Sequence, residues 1–301
     1  MARSDSTWSP TQQDLAWIEA TGRPLHPILV AMEDAAAPER IPILSRDSGR
    51  MLGVLAAGRR RIIEVGTAIG YSTLWMGLAL PPEGTIVTLD PDRERTDRAR
   101  AFWRQAGLPD ARITVVNEPA LEAFAAESAA LAGPFDMVFI DALKDEYLAY
   151  LAALMDRLAP GAIVVADNVL WSGRTSGARP SRPGDGSDAL REFCARVSAD
   201  PAFETTILPI GDGLLVAALR PSHPARPHSA SMSGSSPCSG SWRGRGRWTS
   251  RSRPARPSRT PGPRSSRAFR CSPRAGPPCD SRTTAPTRPR RPRSPMATRS
   301  R

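Results

Sequence analysis

The chain has 301 residues and a formal net charge of +11, but that charge is unevenly spread. From Pro221 onward nineteen arginines face a single acid, Asp280, so the tail carries +18 and residues 1–220 carry −7, which argues against a broad phosphate-binding face on the body. Four cysteines without metal or redox spacing argue against a disulfide framework and for a reducing cytoplasm; no apolar stretch approaches the roughly 20 residues of a membrane span, and "MARSDSTWSPTQQD" lacks the apolar core of a signal peptide.

The first 50 residues read as helices packed beside a sheet. "RIIEVG" (61–66), "TIVTLD" (85–90), "ITVVN" (113–117), "FDMVFID" (135–141) and "AIVVADN" (162–168) read as strands. They are continuous and rich in Val and Ile rather than alternating, as strands covered on both faces are. Between them lie the helical patterns "STLWMGLAL", "RERTDRARAFWRQAG", "ALEAFAAESAAL" and "DEYLAYLAALMDRLAPG", the last stopped by Pro160-Gly161. Such alternation predicts an α/β fold, a mostly parallel doubly wound sheet with helices on both faces. "FETTILPIGDGLLVAALR" then predicts a hairpin turning at Gly211-Asp212-Gly213. Residues 1–220 make one domain. Residues 221–301 hold fifteen of the thirty-one prolines among Ser, Gly and Arg, a composition that predicts disorder. That tail is either a basic arm or an unselected product of GC-rich DNA read out of frame.

In sheets of this kind ligands bind outside the carboxyl ends of the strands. Four of the five strands end on or beside useful polar residues: "EVGTAIGYS", Asp90, Asp141 and Asp167-Asn168. The first departs from the dinucleotide fingerprint, with Ala68 and Tyr71 where two glycines belong, and Glu64 adds a negative charge. An acid, a tight glycine turn and Asp90 placed for ribose hydroxyls point to a nucleoside that carries positive charge, and S-adenosylmethionine fits. The plainer alternative is that Gly66 and Gly70 only permit a tight turn. Asp141, Asp167 and Asn168 are hard oxygen donors suited to Mg²⁺ or Mn²⁺, or else simple strand-end caps. Lys144 is the only lysine in the chain, three residues after Asp141. A lysine can give up its proton in a site where an arginine stays protonated.

These motifs resemble the cation-dependent O-methyltransferases, the group that contains catechol and caffeoyl-CoA O-methyltransferases and bacterial relatives. The resemblance covers roughly residues 25–220 and rests on "ILSRDSGRMLGVL", "IIEVGTAIGYSTLWMG", "FDMVFIDALKDEYLAY", "VVADNVLWSG" and "IGDGLLVAALR". It implies a Rossmann-like class I methyltransferase fold of seven strands with an antiparallel last strand, and usually a homodimer. It also implies roles. Glu64, Gly66, Thr67, Gly70 and Ser72 would serve the methyl donor, with Asp90 at its ribose and Asp141 beside it. Asp141, Asp167 and Asn168 would hold the cation, Lys144 would be the base, and Trp171, Lys144 and Asn168 would face a phenolic substrate. Two departures stand out: Asp90 replaces a common Glu, and Glu118 replaces a glycine near the adenine.

Several readings stay open at this level. Trp171 either stacks on an aromatic substrate or packs under the loop, and Tyr147 is either core or support. His26 reads as structural. The loop "SGRTSGARPSRPGDGSDALREF" (172–193) faces the substrate in this reading. Rival functions are methylation of a hydroxylated tRNA nucleoside and non-catalytic binding of S-adenosylmethionine.

Overall fold

The computed structural model describes residues 9–126 and 128–221; the tail expected to be disordered lies outside the described residues. Three helices come first: α1 (Gln12–Thr21), α2 (Pro27–Glu39) and α3 (Arg46–Ala56). Each begins where a side chain accepts an orphan backbone N–H, namely Thr11, His26 and Ser45. His26 is therefore a helix cap, which accounts for the structural role read for it.

Seven strands follow, interleaved with helices. β1 (Arg61–Val65), α4 (Tyr71–Ala79), β2 (Thr85–Leu89), α5 (Arg93–Gln105) and β3 (Ile113–Val116) form the first half. α6 (Ala120–Ala125), β4 (Phe135–Ile140), α7 (Tyr147–Leu154), β5 (Leu158–Ala166), α8 (Ser187–Ala199), β6 (Phe203–Leu208) and β7 (Leu214–Leu219) complete it. The sheet order is β3-β2-β1-β4-β5-β7-β6, parallel except for β7, which runs antiparallel to both neighbours. Strand order reverses between β1 and β4, and it is at the carboxyl ends beside such a reversal that sheets of this kind bind ligands.

Two hydrophobic cores cover the two faces. Val138 and Ile140 of β4 join Phe124, Leu151 and Phe193 from α6, α7 and α8. Met137 and Phe139, which point the other way, join Met32, Leu52, Leu74 and Trp103 from α2, α3, α4 and α5. Burial on both faces explains the unbroken apolar strands.

Two expectations are corrected. Residues 120–131 do not form one helix: α6 ends at Ala125 and a separate 3₁₀ turn spans Ala129–Leu131. Pro160-Gly161 does not stop a helix. α7 ends at Leu154, a 3₁₀ turn follows, and Pro160-Gly161 lies inside β5. The pairing of β4 with β5 shifts register between Phe135 and Met137, so the Pro, which has no N–H to donate, sits at an irregularity in the ladder. The hairpin turn holds as expected, with φ of +57° at Gly211 and +89° at Gly213.

One register places the site. Val65 pairs with Ile140, and Ile140 with Ala166, so the next residues, Gly66, Asp141 and Asp167, stand side by side on the rim. Gly66 has a φ of +102°, and a Cβ there would run into the carbonyl of Asp141. Gly58 has a similar φ, +84°, with open space around it. Gly66→Ala should therefore cost about 3 kcal/mol, against about 1 kcal/mol for Gly58→Ala, where only the left-handed backbone is penalised. Urea unfolding of both variants checks this; equal losses would contradict the close approach.

Candidate active site

The turn after β1 is held from below. Glu64 points under α4 with no exposed surface, and its carboxylate accepts from Ser72 Oγ at 2.5 Å, Thr73 Oγ1 at 2.5 Å and Thr88 Oγ1 at 2.6 Å. Since the Thr88 hydrogen goes to Glu64, Thr67 donates to Thr88, 2.6 Å away. Burial pushes the Glu64 carboxyl up to about 7 against the pull of the three hydroxyls, with Asp141 adding to the rise. Glu64 was expected to line the ligand. Strand alternation turns it to the α4 side, where it bonds Ser72 directly and Thr67 through Thr88.

Asp90 closes the same turn. Its Oδ2 accepts from Ala68 N at 2.7 Å and its Oδ1 from Asp92 N at 2.9 Å. Ala68 adopts φ +46°, a left-handed conformation that this carboxylate bond holds. A carboxylate has about four acceptor positions, so Asp90 retains capacity for hydroxyl donors. Asn117 supports it by donating to the Asp90 carbonyl at 3.0 Å and to Thr96 Oγ1 at 2.7 Å. Gly70 is required in its turn: it sits at φ +79° against the Trp103 ring, whose Nε1 donates to its carbonyl at 2.9 Å.

The tips of β4 and β5 meet around one ammonium. Lys144 Nζ donates to Asp141 Oδ1 at 2.7 Å, Asn168 Oδ1 at 2.8 Å and Tyr147 Oη at 2.7 Å. Its side chain is 11% exposed. Asp167 stands beside this group, 2% exposed, and its Oδ1 is buried without a hydrogen-bond partner among the protein atoms. Burial first, and then the Asp141 charge, push the Asp167 carboxyl up to about 7.

The rim of the site is strained. Asn168, Trp171 and Ser172 all have positive φ, between +48° and +58°. The closing hairpin holds them: Gly213 O accepts from Val169 N, Asp212 O from Leu170 N, and Asp212 Oδ1 from Ser172 N at 2.6 Å. Trp171 Nε1 donates to the Asp185 carbonyl at 2.6 Å, and Lys144 Nζ lies 5.5 Å from the centre of its ring. Trp171 packs against the core and also lies beside the ammonium. The Asp185 carboxyl is held down to about 2 by the Ser187 hydroxyl first, and then by the backbone N–H groups of Arg182 and Ser187, which donate to it. The loop ends at Gly186, φ +82°, where a Cβ would meet the Lys144 Cβ at 2.8 Å. Residues 187–193, expected in the loop, are the start of α8.

All the residues read from the sequence therefore gather at one rim, with Glu64 set behind it. Thr73, Thr88, Asn117, Asp185 and Asp212 were missed. Of these Asp185 and Asp212 carried a signal, since each lies between two glycines in a turn. A cavity of about 290 Å³ between α5 and β3, lined by Arg100, Trp103 and Val115 among others, includes none of the site residues.

The donor set suits a hard divalent cation. Asp141, Asp167 and Asn168 are oxygen donors, and the unpartnered Asp167 Oδ1 is an acceptor in need of a positive partner. Among the described residues no group of three His, Cys, Asp or Glu side chains is placed to hold a metal ion.

Residues 23–220 match the family model described as O-methyltransferase. The chain is 38% identical over 183 residues to tricin synthase 1 of Oryza sativa subsp. japonica, covering 57% of this chain and 72% of that protein. It is 33% identical over 184 residues to a catechol O-methyltransferase of Niastella koreensis, covering 60% of this chain and 82% of that one. Among solved structures it is similar to an O-methyltransferase of Streptomyces achromogenes in complex with SAM. That likeness has a TM-score of 0.60 at 28% identity and covers 68% of this chain and 95% of the other.

The Glu64 carboxyl titrates higher in the folded state than its ordinary 4.5, so the folded state retains a proton that the unfolded chain has lost. Its contribution to stability is full below 4.5 and is lost as pH rises through about 7. With EDTA present, Glu64→Gln should lose about 3 kcal/mol less stability than wild type across that range. Parallel stability curves from urea melts would refute this assignment.

Proposed function

Since the chain belongs to the O-methyltransferase family and is an S-adenosylmethionine-dependent O-methyltransferase, we propose that it methylates one hydroxyl of a catechol-like vicinal diol, with Lys144 as the base. In this reading Asp141, Asp167 and Asn168 hold a Mg²⁺ or Mn²⁺ ion. The observation that carries it is the position of Lys144 Nζ, which touches the tips of both strands that supply those three residues. The named activity of the Niastella koreensis relative supports the acceptor class.

When bound, S-adenosylmethionine supplies a methyl group on a sulfonium, and the divalent cation lowers the pKa of a coordinated hydroxyl and fixes its aim. The chain's own residues do the rest. Gly66 lets the donor approach the rim, and Asp90 offers its remaining acceptor positions to ribose hydroxyls. Trp171 gives a flat face to an aromatic ring beside Lys144. Lys144 takes the proton that the acceptor hydroxyl releases, and Asp141 and Asn168 keep its Nζ at that oxygen. Arginine cannot substitute, because its guanidinium remains protonated.

Methyl transfer to catechol and to caffeoyl esters should disappear with EDTA and return with added Mg²⁺ or Mn²⁺; activity indifferent to EDTA would overturn the cation site. Lys144→Arg should lower kcat by about a hundredfold or more while leaving the affinity for S-adenosylmethionine unchanged. Full turnover in that variant would refute the base.

A further inference from the structure

Tyr147 is the third partner of Lys144, and it stands outside the set of residues proposed to face the cation. It opens α7, one turn after Lys144, with its ring fully buried against Phe193 of α8 in an edge-to-face pair, centroids 5.5 Å apart. A phenylalanine would fill that space as well. A hydroxyl buried there is costly unless it is bonded, so its presence calls for an explanation beyond packing. Its two bonds supply one. Tyr147 Oη donates to the Asp167 carbonyl at 3.1 Å and accepts from Lys144 Nζ at 2.7 Å. The first bond sets the direction of the second: with its hydrogen committed to Asp167, the oxygen presents lone pairs to the ammonium.

We infer that Tyr147 is a positioning residue for Lys144, holding Nζ at the tips of β4 and β5 through a hydroxyl anchored on the Asp167 backbone. This rests on the reading of Lys144 as the base. Asp141 and Asn168 also belong to the proposed cation site, whereas Tyr147 does not, and its oxygen accepts from Nζ. The stem of the lysine is confined as well, since Gly186 of the rim loop lies against its Cβ. Only the head group then depends on directional bonds, and Tyr147 supplies the one that comes from outside the proposed cation site.

Tyr147→Phe removes this bond and keeps the ring. Its kcat should fall about tenfold or more, as expected when a bond to a charged group is lost, with KM for S-adenosylmethionine and for a catechol within twofold of wild type. Retained binding of S-adenosylhomocysteine reports that the variant is folded. In a Lys144→Met background, Tyr147→Phe should bring no further loss, because nothing remains to be positioned. Wild-type kcat in Tyr147→Phe, a loss carried by KM, or an equal loss in the Lys144→Met background would each overturn the inference. Wild-type turnover in Lys144→Met alone would instead overturn the base on which it rests, so the two failures are told apart.

Discussion

Parallel pairing of Val65 with Ile140 and of Ile140 with Ala166 is the constraint on which the site depends. Because three adjacent strands end on one level, the next residue of each reaches the rim beside its neighbours. One is Gly66, which yields space; the others are Asp141 and Asp167, which bring charge. Backbone bonds carry the register one step past the strands, from Asp141 N to the Val65 carbonyl at 2.9 Å and from Asp167 N to the Ile140 carbonyl at 3.1 Å. A slip of one residue would turn both carboxylates into the cores and abolish the cluster. Strand-end chemistry in this protein is thus a consequence of sheet geometry rather than of loop conformation.

Electrostatics then states what the cluster needs. Asp141 and Asp167 stand beside a single lysine, with Glu64 buried under the turn after β1, and Asp141 raises the carboxyls of both Glu64 and Asp167. Such a cluster is short of positive charge. A sulfonium on one side and a divalent cation on the other would each relieve it, so the two proposed ligands answer one imbalance. The hydroxyls of Ser72, Thr73 and Thr88 temper the charge on Glu64 without removing it.

Much of this was legible in the sequence because strands buried on both faces read as continuous apolar runs and their ends are marked by polar residues. The order of elements, the closing hairpin and Asp141, Asp167 and Asn168 followed from that pattern, while Lys144 stood out as the only lysine of the chain. Pro160-Gly161 misled because the same pair that ends helices also fits a strand irregularity, and only the partner strand decides between them. The direction of Glu64 could not be read from its nearness to the glycine turn, because strand alternation sets where its side chain points. Thr73, Thr88 and Asn117 were invisible, since their partners lie many residues away and become neighbours only through the sheet. Tyr147 was undecidable from its spacing: its ring belongs to the core, and only the fold brings its hydroxyl to Lys144 and the Asp167 carbonyl.

The claim that Asp141, Lys144, Asp167 and Asn168 form one cation-assisted methyl-transfer site is tested most directly by anomalous diffraction from crystals grown with Mn²⁺, S-adenosylhomocysteine and a catechol. The expected result is one manganese peak within bonding distance of Asp141, Asp167 and Asn168, with a catechol oxygen between the metal and Lys144 Nζ. Manganese bound elsewhere, or a catechol oriented away from Lys144, would contradict the account.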